Sequence, residues 1–312
     1  MKRRLLYAVL ALAIGTSANA GMKTVPLTEA WQTTIRAAAP ERPTVTPKQR
    51  PTLLVFSLMT GFKHWVTPHT TEVVKIIGEK SDAYDVVVSN DVKMFEPENI
   101  KRFDVIVLNN TCSDRRKRDL FFDATKDAAA AARLEASLLA HIARGNGLVA
   151  IHGAVTMQNN SAAFSKMLGG SFDFHPRQQE VTCRVVDPTH PLVAAFKGQP
   201  FVHVDEPYLF KNAYADKNFR PLLAMDTALL DCGKRDTAVR SDIRYVAWIK
   251  RHGKGRVFYC SPSHNAQSFE RPELLQFLLD GIQYAAGDLV CDDTPGQGTG
   301  RVSSEQQAVS SE

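Results

Sequence analysis

Three of the nine histidines in this 312-residue chain fall at the ends of apolar runs. His64 lies in MTGFKHW, behind TLLVFSL at 52–58. His152 ends GLVAIH at 147–152. His264 closes GRVFYCSPSHN at 255–265. His175 in GGSFDFHP, and the pair Asp205 and Glu206 in VHVDEPY, add further groups of the same kind. Imidazoles and a carboxylate that converge on one crevice suit two chemistries. Neutral histidines with a carboxylate bind zinc or a similar divalent metal and leave a position open. Alternatively, a histidine and a carboxylate move protons on a bound substrate. The metal reading takes His64, His152, His175, Glu206 and His264 as ligands. The proton-transfer reading takes His264, Glu206 and His152 as the catalytic groups. No local spacing such as H-E-x-x-H decides between them, because each residue comes from a different part of the chain.

These residues converge only if the runs before them are neighbouring strands of one sheet. TLLVFSL, YDVVVS (84–89), DVIVLN (104–109) and GLVAIH read as strands buried on both faces, as in a parallel sheet. Between them, TEVVKIIGEK sets Val73, Val74, Ile76 and Ile77 on one helical face. AARLEASLLAHIARG does the same with Leu134, Leu138, Leu139 and Ile142, and stops at Gly145. Alternating strands and helices predict a doubly wound α/β fold, with a mostly parallel sheet and helices on both faces. The second half is more mixed. EVTCRVVD, FVHVDEPY, RYVAWIK and RVFYC read as strands, followed by a closing helix over about 272–286. In open α/β sheets the ligand crevice lies beyond the carboxyl ends of the strands. That rule places His64, His152 and His264 together. Four other histidines read differently: His190 as a turn residue, and His69, His141 and His252 as helix or loop surface.

The flanks bound the domain. Lys2, Arg3 and Arg4, the apolar run from Leu5 to Ile14, and Ala18, Asn19 and Ala20 have the order of a secretory signal peptide over residues 1–20. The apolar run is too short to cross a hydrocarbon core of about 30 Å. The expected location is therefore the periplasm or the exterior, with no membrane partner. Losing those three cations lowers the formal charge from +5 to +2, which gives no electrostatic case for nucleic acid. Residues 21–50 read as an extended lead-in and 291–312 as a disordered polar tail, leaving 51–290 as one domain. The five cysteines show no metal spacing. In an exported chain they allow one or two disulfides and leave at least one thiol over. A homo-oligomer is compatible with this composition.

Taken in order, GFKHW, GLVAIHGA, LGGSFDFHP, HPLVAAF, DEPY and GKGRVFYCSPSHN resemble the ThuA-like (trehalose utilisation) family over about 51–287. The resemblance implies a flavodoxin-like, class I glutamine amidotransferase-like fold. It also implies a place in carbohydrate catabolism, beside oxidoreductases that act through 3-keto sugars. That superfamily carries a nucleophilic cysteine in the turn where this chain has His152, so cysteine-dependent cleavage of glutamine is not expected. The expected partner is a small carbohydrate. Trp65 and Tyr208 would stack on it, and Asn109 and Asp205 would bind its hydroxyls. The reaction would be that of a hydrolase, lyase or isomerase. The alternative is a non-catalytic carbohydrate-binding or accessory protein.

Overall fold

The computed structural model describes residues 22–233, 239 and 243–296. The expected signal peptide and residues 297–312 lie outside these. Strands β1 (Thr52–Phe56), β2 (Asp85–Ser89), β3 (Val105–Asn109), β4 (Gly147–Ile151), β5 (Ser171–Phe174), β6 (Gln179–Val185), β7 (Phe201–Asp205), β8 (Leu209–Lys211), β9 (Arg220–Met225), β10 (Arg244–His252) and β11 (Gly255–Cys260) are joined by helices α1 (Glu29–Ala38), α2 (Thr67–Ser81), α3 (Pro97–Ile100), α4 (Leu120–Thr125), α5 (Ala128–Ala143), α6 (Ala162–Leu168) and α7 (Pro272–Ala286).

The main sheet has the order β2-β1-β3-β4-β11-β10-β9-β6-β7, and β5 pairs with β8 apart from it. From β2 to β11 all pairings are parallel, as the apolar runs predict. The short strands VIVLN and GLVAI are buried at every position. β2 departs from that expectation. As the edge strand it leaves Val87 and Val88 exposed. Helix α5 forms where the sequence places it: Asp127 caps it by accepting from the amides of Ala129 and Ala130, and Leu134, Leu138 and Ile142 form its buried stripe. Helix α7 spans Pro272 to Ala286 and stops at Gly287 in a left-handed conformation.

From β11 onward the pairings are antiparallel. Four such pairings return β7 to the direction of β11, so both end at the same edge of the sheet. In a flat sheet those strands would lie about 19 Å apart, four spacings. Yet Asp205, the last residue of β7, accepts from the backbone N–H of Ser263, just beyond β11, at 2.8 Å. The antiparallel part therefore curls back over the carboxyl edge. Two features permit the bend. The β10–β9 pairing carries register shifts at Ala247, and β6 pairs β9 over only Cys183, Arg184 and Val185. The curl closes on a cavity of about 10 Å³, room for roughly one water.

Several expectations change, at the flanks and within the domain. Residues 21–50 are not simply extended. Thr28 caps α1 by accepting from Trp31 N–H, and the helix buries Trp31 and Ile35, one turn apart. Trp31 lies edge-on to His69 at 4.8 Å, so His69 is buried rather than on the surface. His141 is buried too, with Nε2 3.0 Å from the Phe103 carbonyl. At the other end, residues 291–296 are tied down. Asp293 pairs with Arg251 and accepts from the Tyr284 hydroxyl at 2.9 Å, and Asp292 lies 3.3 Å from Arg220. All five cysteines are free thiols. No described helix is long and apolar enough to cross a membrane.

Candidate metal centre

Register sets the level of the site. Asn109, Ile151 and Cys260, the last residues of β3, β4 and β11, lie side by side. The chain leaves these strands through unusual turns. Asn110, His152 and Ser263 all have positive φ, at 53°, 46° and 133°. Non-glycine residues avoid that region, and clusters of them mark functional sites. The turn at His152 is held from both sides. Its carbonyl accepts from the Tyr259 hydroxyl at 3.1 Å, and its Nδ1–H donates to the Ser261 carbonyl at 2.8 Å. The second bond fixes the tautomer and leaves the Nε2 lone pair facing inward.

Nε2 of His152 lies 3.1 Å from Nδ1 of His264 and 3.5 Å from Oε2 of Glu206, and the latter two atoms are 3.2 Å apart. His64 completes the group. One donor atom from each of His64, His152, Glu206 and His264 lies within 4.8 Å of all the others. Four ligands at zinc–nitrogen distances in a tetrahedron are separated by about 3.3 Å. The three edges among His152, Glu206 and His264, at 3.1, 3.5 and 3.2 Å, fit that figure, and those to His64 lie within 4.8 Å. The donor set fits as well: three imidazoles and one carboxylate suit zinc and its neighbours in the first transition row. His64 is 3% exposed, and its Nδ1 has no hydrogen-bond partner among the described residues.

The electrostatics agree with that donor set. Burial drives His64 well below the ordinary imidazole value, and His152 and His264 push the same way, so it is a neutral donor at physiological pH. Burial opposes charge on Glu206. Hydrogen bonds and charge from His152 and His264 outweigh it and hold the carboxyl well below the usual carboxylate range. Burial also opposes charge on His152, but Glu206, Asp205 and the Ser261 carbonyl raise its affinity for a proton. A cation at the centre would take the place of that proton.

The other expected residues divide. Asp205 is buried behind the centre, not open to a ligand. It accepts from the N–H groups of Ser263 (2.8 Å) and His264 (3.3 Å), and lies 3.2 Å from Nδ1 of His203. Tyr208 is also buried. Its hydroxyl is 3.3 Å from Nε2 of His64 and its ring lies against His152 at 4.3 Å, so it lines the centre rather than offering a face. His175 stands outside the four-residue group. Its Nδ1–H donates to the Pro176 carbonyl at 2.7 Å, and its Nε2 faces Glu206 Oε2 at 3.7 Å with the side chain 33% exposed. Asn109 is turned away: its amide donates to Ser57, the Thr67 carbonyl and Thr71. Trp65 packs against His69, at 5.3 Å between rings.

Sequence reading missed two contributors. A Cβ at Gly153 would sit 2.5 Å from Cε1 of His64, so only glycine lets that ring reach the β4 turn. The signal was present in IHGA. His203 backs Asp205, and nothing in FVHVDEPY separates its inward position from the outward one. Near the strand ends, Cys260 is fully buried and its thiol is pushed up by burial. Cys112 is buried with Sγ 3.8 Å from the Ser113 carbonyl. Neither sits in the turn that carries His152.

The comparisons with known proteins place the chain. Residues 52–285 match ThuA, described as trehalose utilisation. The chain belongs to the ThuA family. A ThuA-like protein of Bacteroides uniformis aligns at TM-score 0.58 and 17% identity, over 78% of this chain and 94% of that one. A second, from Parabacteroides merdae, aligns at 0.54 and 18%, over 78% and 92%. A cytoplasmic protein of Salmonella typhimurium aligns at 0.50 and 12%, over 75% and 98%. No curated protein matches. These likenesses establish the class I glutamine amidotransferase-like fold, and the ThuA family supports a carbohydrate-related role.

Proposed function

We propose that this ThuA-family protein is an exported, divalent-metal-dependent enzyme that acts on a sugar or keto-sugar derivative. The observation that carries the metal reading is the approach of His64, His152, Glu206 and His264 within 4.8 Å of one another, three of them buried and the fourth nearly so. Export rests on the basic, apolar and small-residue order of residues 1–20.

A bound divalent ion polarises a carbonyl or hydroxyl oxygen and lowers the pKa of a bound water. The chain's own groups would do the rest. His152, with its Nδ1–H on the Ser261 carbonyl, presents Nε2 to the ion. Asp205 fixes the His264 turn through two backbone N–H groups. His175, with Nδ1 on the Pro176 carbonyl and one third of its side chain open, is the group at the mouth that takes or returns a substrate proton. Glu206 and His264 then serve as ligands rather than as the acid–base pair.

The test is turnover. Tag-free protein is stripped with chelator, reloaded with zinc, manganese or nickel, and mixed with trehalose, glucosides and their 3-keto forms, with products followed by NMR. Turnover that needs the metal and falls at least about 100-fold in His175→Ala, with metal still bound, is expected. Metal and sugar binding without turnover of any of these substrates would favour the accessory, non-catalytic reading.

A further inference from the structure

The ThuA family description and the four-ligand cluster say nothing about how a substrate would lie across the centre. The rim does. Phe62 is 52% exposed, and its ring stands edge-on to His64, centroid to centroid 4.8 Å. A single exposed aromatic is ordinary on a protein surface. This one touches a residue of the centre, and its loop is pinned on both sides. Before it, the N–H groups of Thr60 and Gly61 both donate to the Cys112 carbonyl at 2.9 Å, and the Thr60 hydroxyl donates to Asp123 at 2.6 Å. Gly61 lies so close to the next segment that a Cβ there would be 2.2 Å from the Ser113 carbonyl oxygen. After it, the His64 carbonyl accepts from both N–H and Oγ1 of Thr67, at the start of α2. Phe62 thus stands half exposed on a loop whose backbone is pinned on both sides, so covering it requires little further ordering of the chain.

A polar group stands beside another member of the centre, Glu206. His175 leans over Glu206 with its Nε2 free of the Pro176 bond, and its ring stacks on Tyr208 at 5.5 Å. The rim therefore carries an exposed aromatic ring beside His64 and an imidazole edge beside Glu206, each against one of the four donor residues.

We infer that Phe62 is the stacking platform of the site, and that the site takes a pyranose ring, its apolar C–H face on Phe62 and a hydroxyl toward His175. This deepens the metal-site reading and rests on it for the position of the crevice. A pyranose has one flat apolar face and a polar edge, which is the pairing that this rim offers. An open-chain polyol has the same hydroxyls and no such face.

The experiment is ligand-observed saturation-transfer NMR and calorimetry on zinc-loaded full-length protein, with methyl α-glucopyranoside, trehalose and sorbitol as probes. Metal content and thermal midpoint are recorded for each sample. Wild type is expected to bind both pyranosides and not sorbitol. Phe62→Ala should weaken pyranoside binding about tenfold, and Phe62→Trp should retain it, both with metal content unchanged. Equal binding by wild type and Phe62→Ala, equal binding of sorbitol, or no pyranoside binding by the loaded wild type would each overturn the inference. Pyranoside binding that depends on Phe62 in protein that takes up no metal would uphold it and remove the metal reading instead.

Discussion

The two parts of the main sheet do opposite jobs at one edge. From β2 to β11 the strands are parallel, and every carboxyl end reaches that edge by topology. His64, His152 and His264 arrive there because each follows such an end. From β10 to β7 the strands alternate, and only the curl returns a carboxyl end to the same place. What it delivers is one adjacent pair, Asp205 and Glu206. Glu206 joins the three histidines, while Asp205 ties the β11 turn to β7. The parallel half thus supplies the three imidazoles and the antiparallel half supplies the carboxylate. A cation would be what the two halves hold in common.

The largest effect should come from breaking either contribution. Glu206→Gln and His152→Ala should each weaken zinc binding by more than about 100-fold, since even the groups behind a metal's ligands are worth 10–100-fold. Competition titration with a zinc indicator measures this. If Glu206→Gln binds as wild type does, the antiparallel half is not part of the centre. Asp205→Asn comes next. It weakens the acceptor for the Ser263 and His264 N–H groups and removes the charge beside His203, but leaves every ligand in place. It should cost about 10- to 100-fold in affinity, with the metal stoichiometry kept at saturating zinc. Affinity equal to wild type would mean that the two halves meet without this tie.

Gly153→Ala probes the parallel half alone. The added methyl would meet His64, whose ring must move, with an expected loss of about 1–3 kcal/mol in stability and weaker zinc binding. A thermal melt of the stripped protein separates the two effects. Unchanged affinity would show that His64 does not depend on this approach.

Asp280→Asn, on α7 beneath the parallel strands, should leave the site alone and sharpen the comparison. Burial raises the Asp280 carboxyl to about 6, against opposing hydrogen bonds from Thr44 and Gln276. A raised folded-state value means that stability is fully present below the unfolded value near 3.8 and is lost as pH rises through 6. The difference of 6 less 3.8 corresponds to at most about 3 kcal/mol at neutral pH. Asparagine removes that cost. The variant should melt higher than wild type at pH 7.5 and nearly level with it at pH 4, with zinc affinity unchanged. A lower midpoint at pH 7.5 would contradict the direction of the shift.

The same contrast governs what the amino-acid sequence made legible. Short apolar runs such as VIVLN and GLVAI identify parallel strands, and the strand-end rule then brings His64, His152 and His264 together without any knowledge of packing. The antiparallel half offers no such rule. β9 opens with Arg220 and Pro221 and hides its strand character, and the curl depends on register shifts that leave no mark in sequence. Side-chain direction was the other hidden quantity. Asn109 ends β3 as required, but its amide turns toward α2. Trp65 and Phe62 sit three residues apart in one loop. Trp65 packs on His69 while Phe62 faces solvent, a difference that residue type alone does not encode. His69 reads as surface until α1, in a segment read as extended, covers it.

The central claim is one divalent ion shared by the two halves of the sheet. The most direct measurement is elemental analysis of tag-free protein, after chelation, exposure to zinc, manganese or nickel, and dialysis, in wild type, His264→Ala and Glu206→Gln. The account predicts close to one ion per chain in wild type and a loss in both variants. Wild type that holds none of the three metals, or a Glu206→Gln variant that keeps a full complement, would contradict it.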